Sequence, residues 1–380
     1  MRLMSTILCG VAVSLASTDP INAQPGPTHD DVTYATVGGR DLSLDLYLPE
    51  SQEPAPVLIW IHGGGWSGGS NASPAHVPTL NALGIAVASV QYRLTSQADL
   101  FGAEPVIWPA QIHDVKAAVR FLKAEAQTYN LDAMRFAAWG TSAGGHLSTV
   151  LTMTANDPFL EGTVGDHLGQ DSSINVGINY FGPSELMFMQ LDITDPPGST
   201  IDHDAFNSPE SRLVGWDEPG QGIGDIRAYL GSSQPPYDQL IPLVRSASPA
   251  WSIDPSDPPL FIGHGDQDTS VPLNQSQRVA DRCAQSGVIH EFMIAQGAGH
   301  GFLGGAVDNA AIEFLRTHLN ISAELCSADV NNDGALTPTD FTAWVNAFNN
   351  DRARCDQNSD GACTPTDFTA WIDNYNDGCD

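Results

Sequence analysis

Short apolar runs and amphipathic stretches alternate along most of the chain, from about residue 33 to residue 319. The run from Val57 to Ile61 is continuously apolar and is followed by glycines, which is typical of a strand buried on both faces of a parallel sheet. Apolar side chains between Ile112 and Ala124 repeat instead at helical spacing. Similar patterns predict further strands at Ile85–Val90, Phe136–Trp139, Ile174–Tyr180, Leu260–Gly263 and Phe292–Ile294, and a closing helix over Ala306–Leu319. The alternation predicts the α/β class, with a mostly parallel sheet flanked by helices.

Two segments depart from this alternation. Within residues 32–48, Leu42, Leu44, Leu46 and Leu48 occupy alternate positions, which predicts a half-exposed antiparallel hairpin or edge strand. Residues 184–256 are rich in Pro, Gly, Asp and Ser and show only weak periodicity. A long irregular segment inside a compact domain is usually a cap, a lid or a binding insertion. We expect this segment to cover the functional site; the alternative is a surface excursion with no role.

The N-terminus has the features of a secretory signal peptide, in the expected order. Arg2 supplies a short positive region, residues 3–16 are largely apolar, and residues 21–23 end in a small residue at the cleavage position. We therefore expect residues 1–23 to be removed and the protein to be secreted or held at the cell surface; the alternative is a poorly ordered N-terminal arm. No other run of about 20 apolar residues occurs, so a membrane span is not expected.

The charge of the chain limits its partners. Fifteen Lys and Arg stand against 45 Asp and Glu, which gives a formal net charge of −30 at pH 7. Such a surface repels nucleic acid and anionic membranes, so neither is an expected partner.

The cysteines are concentrated near the C-terminus, where four of the six occur: Cys326, Cys355, Cys363 and Cys379. An exported chain meets oxidising conditions, so we expect these four to pair. Cys355 and Cys363 lie close in sequence, and Cys326 and Cys379 bracket the segment, but the sequence leaves other pairings open. Cys283 is then expected to be a buried free thiol on a helix.

A candidate nucleophile lies directly after one predicted strand. Residues 140–144 read G-x-S-x-G, with Ser142 at the centre, and a helix is expected from Ala143 onward. A sharp turn from strand to helix places such a serine hydroxyl at the top of the sheet, near a helix N-terminus. The pattern alone is weak, and its place between a strand and a helix is what favours a nucleophile over an ordinary buried serine.

A second glycine-rich segment, residues 62–66, reads His-Gly-Gly-Gly-Trp and follows the strand that ends at Ile61. Three consecutive glycines cost conformational entropy, and a backbone curled around an oxyanion gives a reason for them. We expect the amides of Gly64, Gly65 and Ala143 to form an oxyanion hole. His62 is interpreted as structural support for this loop. Trp66 is a candidate substrate-binding wall, with core packing as the alternative.

The remaining catalytic candidates follow the last two strands. A serine hydroxyl needs a histidine to remove its proton, and that histidine needs a carboxylate to orient it. Asp268 and His300 fit these roles, in the order Ser, Asp, His. Asp266 competes for the acid role but adjoins the strand end, where it is expected to structure the loop. The rival histidines, His264 and His290, are likewise interpreted as structural.

Residues from about 32 to 319 resemble the α/β-hydrolase esterases, especially their bacterial feruloyl-esterase-like and carbohydrate-esterase members. The resemblance rests on residues 61–66, 91–94, 114–122, 139–146, 259–272 and 297–302. It implies an α/β-hydrolase fold and a serine carboxylesterase that forms an acyl-enzyme and needs no cofactor for the chemistry. The hormone-sensitive-lipase-like group often has Asp before the nucleophile; Thr141 stands there in this chain, which favours the first group.

The resemblance does not identify the acid or the alcohol of the substrate. The expected substrates are small or carbohydrate-linked esters, of the acetyl or feruloyl type. One alternative is a serine peptidase or amidase, because the same fold and catalytic groups serve both chemistries. A non-enzymatic binding protein with an inert hydrolase domain is a further alternative, and the complete set of candidate catalytic residues argues against it.

A twelve-residue acidic loop occurs twice near the C-terminus, at residues 329–340 and 356–367. Side-chain oxygens at positions 1, 3, 5 and 12, a carbonyl at position 7 and glycine at position 6 match the spacing that wraps a hard cation. The predicted ligands of two structural Ca²⁺ ions are Asp329, Asn331, Asp333, Ala335, Asp340, Asp356, Asn358, Asp360, Ala362 and Asp367. An amphipathic helix is expected after each loop.

The repeat resembles a dockerin, especially the variant that ends in Gly-Cys, here at residues 378–379. A dockerin implies a protein receptor, either cohesin-like or on a cell surface; the alternative is a stability or anchoring tag without a cohesin partner. Because the loops collect many carboxylates, folding of this module is expected to depend on calcium. The expected organisation is thus a signal peptide at 1–23, an α/β-hydrolase catalytic domain at 24–321 with a cap at 184–256, and a dockerin-like module at 326–380.

Overall fold

The computed structural model describes residues 26–102, 104–155, 157–321, 327–331, 336–349, 353–358 and 363–378. The expected signal peptide, Cys326 and Cys379 lie outside these residues. Four of the predicted calcium ligands also lie outside them: Asp333, Ala335, Asp360 and Ala362.

Eight strands form one mostly parallel sheet. In chain order they are β1 (His29–Val37), β2 (Arg40–Tyr47), β3 (Ala55–Ile61), β4 (Ala86–Val90), β5 (Leu131–Thr141), β6 (Val176–Tyr180), β7 (Leu260–Gly265) and β8 (His290–Ala295). Their order across the sheet is β1-β2-β4-β3-β5-β6-β7-β8. The β1–β2 and β2–β4 pairs are antiparallel, and all the other pairs are parallel. The predicted α/β class and mostly parallel sheet are therefore confirmed.

Helices cover both faces of this sheet. The helices of the first 321 residues are α1 (Val77–Ala82), α2 (Ala110–Ala124), α3 (Ala143–Met153), α4 (Pro158–Glu161), α5 (Pro209–Leu213), α6 (Ile223–Ala228), α7 (Tyr237–Ser246), α8 (Leu273–Ser286) and α9 (Gly305–His318). Val57, Ile59 and Ile61 of β3 share a core with α2 and α3, whereas Leu58 and Trp60 share the opposite core with α1 and α9. A central strand with apolar neighbours on both faces explains the continuous apolar run in the sequence.

The predicted half-exposed hairpin is formed by β1 and β2, and its two strands differ in burial. β1 is the half-exposed edge strand. β2 lies between β1 and β4, and its Leu42, Leu44 and Leu46 are buried in the same core as α2. The alternating leucines therefore mark the core-facing side of an inner strand.

The segment 184–256 contains three short helices, α5, α6 and α7, joined by turns and short 3₁₀ segments. The sequence did not predict these helices. α5 and α6 have only five and six residues, too few to repeat a helical pattern, and α7 carries Pro242 in its interior. Ile223, Ile226 and Val244 are buried in the large core with α2 and α3, so the cap folds together with the sheet domain.

Cys283 lies on α8 and is buried as a free thiol, as expected. Burial raises the pKa of this thiol to about 12, and Asp257 adds to the rise. The thiol therefore stays protonated at neutral pH and packs as an apolar group.

The C-terminal repeat contains two equivalent helices, α10 (Pro338–Asn349) and α11 (Thr366–Asp377). The indole of Trp344 donates to the carbonyl oxygen of Cys355 at 3.2 Å, and the indole of Trp371 donates to that of Ala328 at 3.1 Å. The tryptophan of each helix is therefore hydrogen-bonded to the segment that precedes the acidic loop of the other half of the repeat. Cys355 and Cys363 form a disulfide, one of the pairings that the sequence left open. In the described part of the chain, no helix is long and apolar enough to cross a membrane.

Candidate active site

Ser142, Asp268 and His300 meet at the carboxyl ends of three parallel strands. Ser142 directly follows β5, Asp268 follows β7, and His300 follows β8. The Nε2 atom of His300 lies 2.9 Å from the Oγ of Ser142, and its Nδ1 lies 2.7 Å from the Oδ2 of Asp268. The imidazole is thus placed to accept the serine proton while the carboxylate holds its Nδ1–H.

The turn at Ser142 is tight and strained. Ser142 has φ 55° and ψ −122°, a region that a residue with a side chain rarely adopts. A Cβ added at Gly140 would overlap the backbone of Gly144, and one added at Gly144 would overlap the backbone oxygen of Ile61. The two glycines of G-x-S-x-G are therefore required because strand, turn and helix backbone approach too closely for a side chain. The strain holds the hydroxyl out of the turn, toward His300.

The carboxylate of Asp268 is buried and has several donors. Its Oδ1 accepts from the amides of Ser270 at 2.8 Å and Val271 at 2.9 Å. Its Oδ2 faces two imidazoles, that of His300 and that of His264, whose Nε2 lies 3.2 Å away. Burial alone raises the pKa of Asp268, but the hydrogen bonds from the two histidines outweigh it and hold that pKa well below its usual range. The group is therefore a stable anion that can orient His300.

The rival candidates have other partners. Asp266 accepts from the amide of Gly297 at 2.6 Å and so structures the loop after β8, as expected. His264 is fully buried and contacts Ser276 and Val271 besides Asp268. His290 lies at the start of β8, where its Nδ1 is 3.0 Å from the carbonyl oxygen of Val288. None of these side chains makes a hydrogen bond to Ser142 within the described chain.

The glycine-rich loop after β3 lies against the nucleophile. A Cβ added at Gly63 would lie 2.8 Å from the carbonyl oxygen of Thr141 and 3.3 Å from the Cβ of Ser142. The amides of Ser67 and Gly68 donate to the carbonyl oxygen of Gly64, which closes the loop into a tight turn. Gly64, Gly65 and Ala143, the residues predicted to form the oxyanion hole, line the same cavity as Ser142.

His62 supports this loop from behind. Its ring stacks on Tyr92 with centroids 4.4 Å apart, and its Nδ1 donates to the carbonyl oxygen of Gly63 at 2.8 Å. The hydroxyl of Tyr92 donates to the carbonyl oxygen of His62 at 3.0 Å. Burial lowers the pKa of His62, so its ring is neutral near pH 7. The structural role expected for His62 agrees with these contacts.

Trp66 forms part of the cavity wall and also packs in the core. It is 1% exposed, and its indole N–H donates to the Nδ1 of His146 at 3.2 Å. The Nε2 of His146 donates in turn to the carbonyl oxygen of Ala247 in the cap, at 2.7 Å. Burial lowers the pKa of His146 to about 4, so the neutral ring can accept from one side and donate on the other. No pattern in the sequence indicates this link between the glycine-rich loop, α3 and the segment 184–256.

The cavity at Ser142 has a volume of about 660 Å³. Its walls include Trp60, Trp139, Tyr180 and Phe181 from the sheet and its loops, and Ile201, His203, Pro209 and Glu210 from the cap. Residues of the segment 184–256 therefore form part of the cavity wall, and the role of this segment as a cap stays a prediction. The individual cap residues were not predictable, because they come from a segment whose pattern carries little periodicity.

The described residues of the two acidic loops make similar hydrogen bonds. Asp340 is buried and accepts from the amides of Asn331 at 3.2 Å and Thr337 at 2.9 Å. Asp367 is buried and accepts from the amides of Asn358 at 3.2 Å and Thr364 at 2.7 Å, the positions equivalent to Asn331 and Thr337, and also from the amide of Gln357 at 2.8 Å. Asp329, Asp356 and Asn358 lie on the same loops. No group of three acidic, histidine or cysteine side chains suited to a metal ion is found among the described residues. Calcium binding therefore stays a prediction.

Comparison with known proteins places the chain among esterase-like sequences. A family model described as BD-FAE matches residues 44–282. Esterase LipC of Mycobacterium tuberculosis is 29% identical over 254 residues, which cover 66% of this chain and 54% of LipC. The probable carboxylic ester hydrolase LipM of the same organism is 26% identical, covering 68% of this chain and 52% of LipM. The chain thus spans about half the length of these curated relatives.

Solved structures agree on the fold. A truncated carbohydrate esterase from gut microbiota has 27% identity and a TM-score of 0.62, covering 78% of this chain and all of that one. A bifunctional GH43-CE protein of Bacteroides eggerthii has 28% identity and a TM-score of 0.61, covering 76% of this chain and 35% of that one. Esterase 2 of Thermogutta terrifontis, at 24% identity and a TM-score of 0.58, covers 79% of this chain and 95% of that one and supports the fold alone.

Proposed function

Because the chain belongs to the BD-FAE family, we propose that it is a serine carboxylic-ester hydrolase that acts through an acyl-enzyme. The observation that carries the proposal is the hydrogen-bonded series Ser142, His300, Asp268, which opens into a cavity beside a glycine-rich loop. Relatives named as an esterase and a probable carboxylic ester hydrolase support the same chemistry.

The proposed first half-reaction acylates Ser142. His300 takes the hydroxyl proton on Nε2 as the serine oxygen attacks the ester carbonyl carbon. Asp268 stabilises the imidazolium through its Nδ1–H. The carbonyl oxygen becomes an anion, and the amides of Gly64, Gly65 and Ala143 donate to it. Loss of one such donor raises the barrier by about 3 kcal/mol in serine hydrolases.

Departure of the alcohol completes the first half-reaction, and the second half-reaction then releases the acid. The imidazolium gives its proton to the leaving alcohol oxygen, which departs and leaves the acyl group on Ser142. Water then enters, loses a proton to His300 and attacks the acyl carbon. Collapse of the second tetrahedral intermediate frees the carboxylic acid and returns the proton to Ser142.

Replacing Ser142 by Ala tests this proposal. The expected result is a fall in p-nitrophenyl acetate hydrolysis by roughly four orders of magnitude or more, because the nucleophile is lost. Ser148→Ala is a matched control: it removes a buried hydroxyl from α3, the helix that follows Ser142, at a residue that does not line the cavity, and it should retain activity. Full activity of the Ser142→Ala protein would refute the assignment. Faster hydrolysis of aminoacyl anilides than of acyl esters by the native protein would instead favour a peptidase.

The proposed substrates are small or carbohydrate-linked esters of the acetyl or feruloyl type. The printed names of two solved relatives, a carbohydrate esterase and a GH43-CE protein, support the carbohydrate side of this proposal. The cavity of about 660 Å³ is large enough for an acyl group together with a sugar ring. A screen of acetylated sugars, feruloyl esters and short acyl esters identifies the preferred acid and alcohol.

The C-terminal module is proposed to bind two calcium ions and to anchor the enzyme to a cohesin-like or cell-surface protein. The support is the duplicated twelve-residue loop, whose donors are carboxylate, amide and carbonyl oxygens, the ligands that Ca²⁺ prefers. Bound calcium would neutralise the loop carboxylates and hold each loop against its helix. Pull-down of cohesin-like proteins by the native protein in calcium, compared with chelator, tests the anchoring role.

Export is proposed from the N-terminal pattern. The expected mature protein begins at Gln24, after removal of residues 1–23. N-terminal sequencing of the protein recovered outside the cell checks this directly.

A further inference from the structure

An exposed tryptophan with two arginines over its ring lies on the surface of the sheet domain. Trp251 is 48% exposed and follows α7 in a short 3₁₀ segment. The guanidinium carbon of Arg245, near the end of α7, lies 5.1 Å from the centroid of the indole ring, and that of Arg282, on α8, lies 5.6 Å from it. All three residues are exposed, and none of them lines the cavity that contains Ser142.

Neither guanidinium group has an anionic partner in the described part of the chain. Arg245 and Arg282 contact the indole ring but make no ion pair and no side-chain hydrogen bond with a described residue. Most other cationic side chains of the sheet domain are in ion pairs, as is Arg278 of α8, which binds the carboxylates of Asp192 and Glu185. Two like charges beside one ring repel each other, and an anion bound to both relieves that repulsion. The arginine pair is therefore suited to a negatively charged ligand.

Hydrogen bonds inside the protein hold the tryptophan ring in position. The indole N–H of Trp251 donates to the Oε1 of Glu185 at 3.0 Å, and the guanidinium of Arg278 donates to the Oε2 of the same carboxylate at 3.2 Å. Glu185 is 6% exposed, and both of its carboxylate oxygens are used in these contacts. Because the ring is fixed, its attraction for cations keeps the two exposed guanidinium groups close together at the surface.

The chemistry of these groups points to a carboxylate on an apolar ring. A guanidinium group carries its N–H donors in a planar fork that matches the two oxygens of a carboxylate. The exposed part of the Trp251 indole offers apolar surface beside that charge. A uronic acid combines both features, because its sugar ring has apolar C–H groups and carries a carboxylate.

The net charge of the chain restricts the partner further. At a formal charge of −30, the protein repels polymers with closely spaced negative charges, such as DNA, which carries about one charge per 1.7 Å of duplex. Charges spaced more widely than the Debye length, about 8 Å at physiological ionic strength, act on the protein one at a time. A polysaccharide with a uronic acid on only some of its sugars therefore reaches the arginine pair without bringing many charges to the rest of the surface.

We propose that Arg245, Arg282 and Trp251 form a surface site for a glycan that carries uronic acid carboxylates. The site is separate from the cavity at Ser142, and it holds the protein on an acidic polysaccharide whichever ester is cleaved there. This inference does not depend on the proposed ester hydrolysis.

The test compares two polymers with the same backbone: a xylan substituted with glucuronic acid and free of ester groups, and the same xylan after reduction of its carboxyl groups. Calorimetric titration measures the dissociation constant of each with the native protein. The acidic xylan should bind about tenfold more tightly, because it alone carries the carboxylate. Combining Arg245→Gln with Arg282→Gln should weaken binding of the acidic xylan by about tenfold or more and leave binding of the reduced xylan unchanged.

Arg40→Gln combined with Arg212→Gln is the matched control. This variant removes the same number of charges from two exposed arginines that also make no ion pair with a described residue, but neither is in contact with Trp251. It should bind the acidic xylan within about twofold of the native protein, since long-range charge effects are screened by salt. Thermal melting checks that both double variants are folded. If the Arg245 and Arg282 double variant does not fold, Arg282→Gln alone carries the test, with Arg40→Gln as its control.

Three results would overturn the proposal. Equal affinity of the native protein for the two xylans would show that the carboxylate is not recognised. An equal loss of affinity in both double variants would show that only the total charge matters. Poly-glutamate that binds as tightly as the acidic xylan, and loses this binding in the Arg245 and Arg282 variant, would assign the arginine pair to an acidic peptide instead of a glycan.

Discussion

Asp268 is the most heavily hydrogen-bonded member of the site, and one of its partners is a second histidine. His264 lies within β7, and its Nε2 is 3.2 Å from the Oδ2 of Asp268 and 3.0 Å from the carbonyl oxygen of Val271. One N–H can be shared between these two acceptors, while the Nδ1 accepts from the hydroxyl of Ser276 at 2.7 Å. His264 is therefore a positioning residue that holds Asp268 against His300.

Replacing His264 by Leu tests whether its hydrogen bond to Asp268 stabilises the protein. The variant leaves the buried carboxylate of Asp268 with one hydrogen-bond donor fewer. The free energy of unfolding should therefore fall by about 2 kcal/mol. Urea unfolding followed by tryptophan fluorescence measures the change. His290→Gln, a histidine on β8 without contact to Asp268, is the control and should stay within about 0.5 kcal/mol of the native protein. Equal stabilities for native protein and His264→Leu would rule out the proposed contribution of this contact.

For single residues, the G-x-S-x-G motif and the order of the candidates along the chain were enough to select Ser142, Asp268 and His300, which the structure brings together. Contacts between segments that are distant in sequence could not be predicted in this way. The link from Trp66 through His146 to the cap, and the facing pair His203 and Glu210, depend on how the segment 184–256 folds back over the sheet. No local pattern encodes that path.

The turn between β5 and α3 is the element on which the site depends most. Its backbone passes so close to β3 that a side chain at Gly144 would overlap the carbonyl oxygen of Ile61. Both partners are backbone atoms inside a packed sheet, so neither can move aside at low cost. The same approach places the glycine-rich loop, which begins after Ile61, beside Ser142.

Gly144→Ala should therefore destabilise the protein by about 3 kcal/mol, because the added methyl group separates β3 from the turn. Urea unfolding measures the loss, and hydrolysis of p-nitrophenyl acetate should fall with it. Gly169→Ala is the control, since a Cβ there would meet no atom within 4 Å, and it should be close to neutral. A stable and active Gly144→Ala protein would contradict the described close approach.

Some strands and helices were easier to predict from the sequence than others. The buried strands β3, β4 and β6 are apolar runs bounded by turn residues, and their pattern reflects burial on both faces. The cap helices α5 and α6 are shorter than two turns, so no repeat of the helical period can appear in them. Tertiary packing, rather than an amphipathic pattern of their own, determines these helices.

Across the whole molecule, a sheet domain that carries the proposed chemistry is followed by a small repeated module with a separate proposed role. The formal net charge of −30 predicts that nucleic acid and anionic membranes are not partners. In the described part of the module, Asp340 accepts from the amides of Asn331 and Thr337, and Asp367 accepts from the equivalent amides of Asn358 and Thr364. Such a duplication predicts two equivalent calcium sites.

Calorimetric titration of the chelator-treated native protein with Ca²⁺ tests the two sites. The expected result is two ions per chain, with melting raised in calcium because binding at 100 times the dissociation constant stabilises the folded state by about 2.7 kcal/mol. Asp340→Asn should reduce the count to one, and so should Asp367→Asn. Asp373→Asn, an exposed change on α11 outside both loops, should keep both ions. Absence of calcium binding by the native protein would contradict the module assignment.

The proposed ester hydrolysis depends on Ser142 being a nucleophile activated by His300. Reaction of the native protein with a fluorophosphonate, followed by mass spectrometry of its peptides, measures this property directly. The account predicts one phosphonyl adduct, located on Ser142, and little or no adduct in a His300→Ala variant that remains folded. An adduct on another residue, or ester hydrolysis that persists while Ser142 stays unmodified by the reagent, would contradict it.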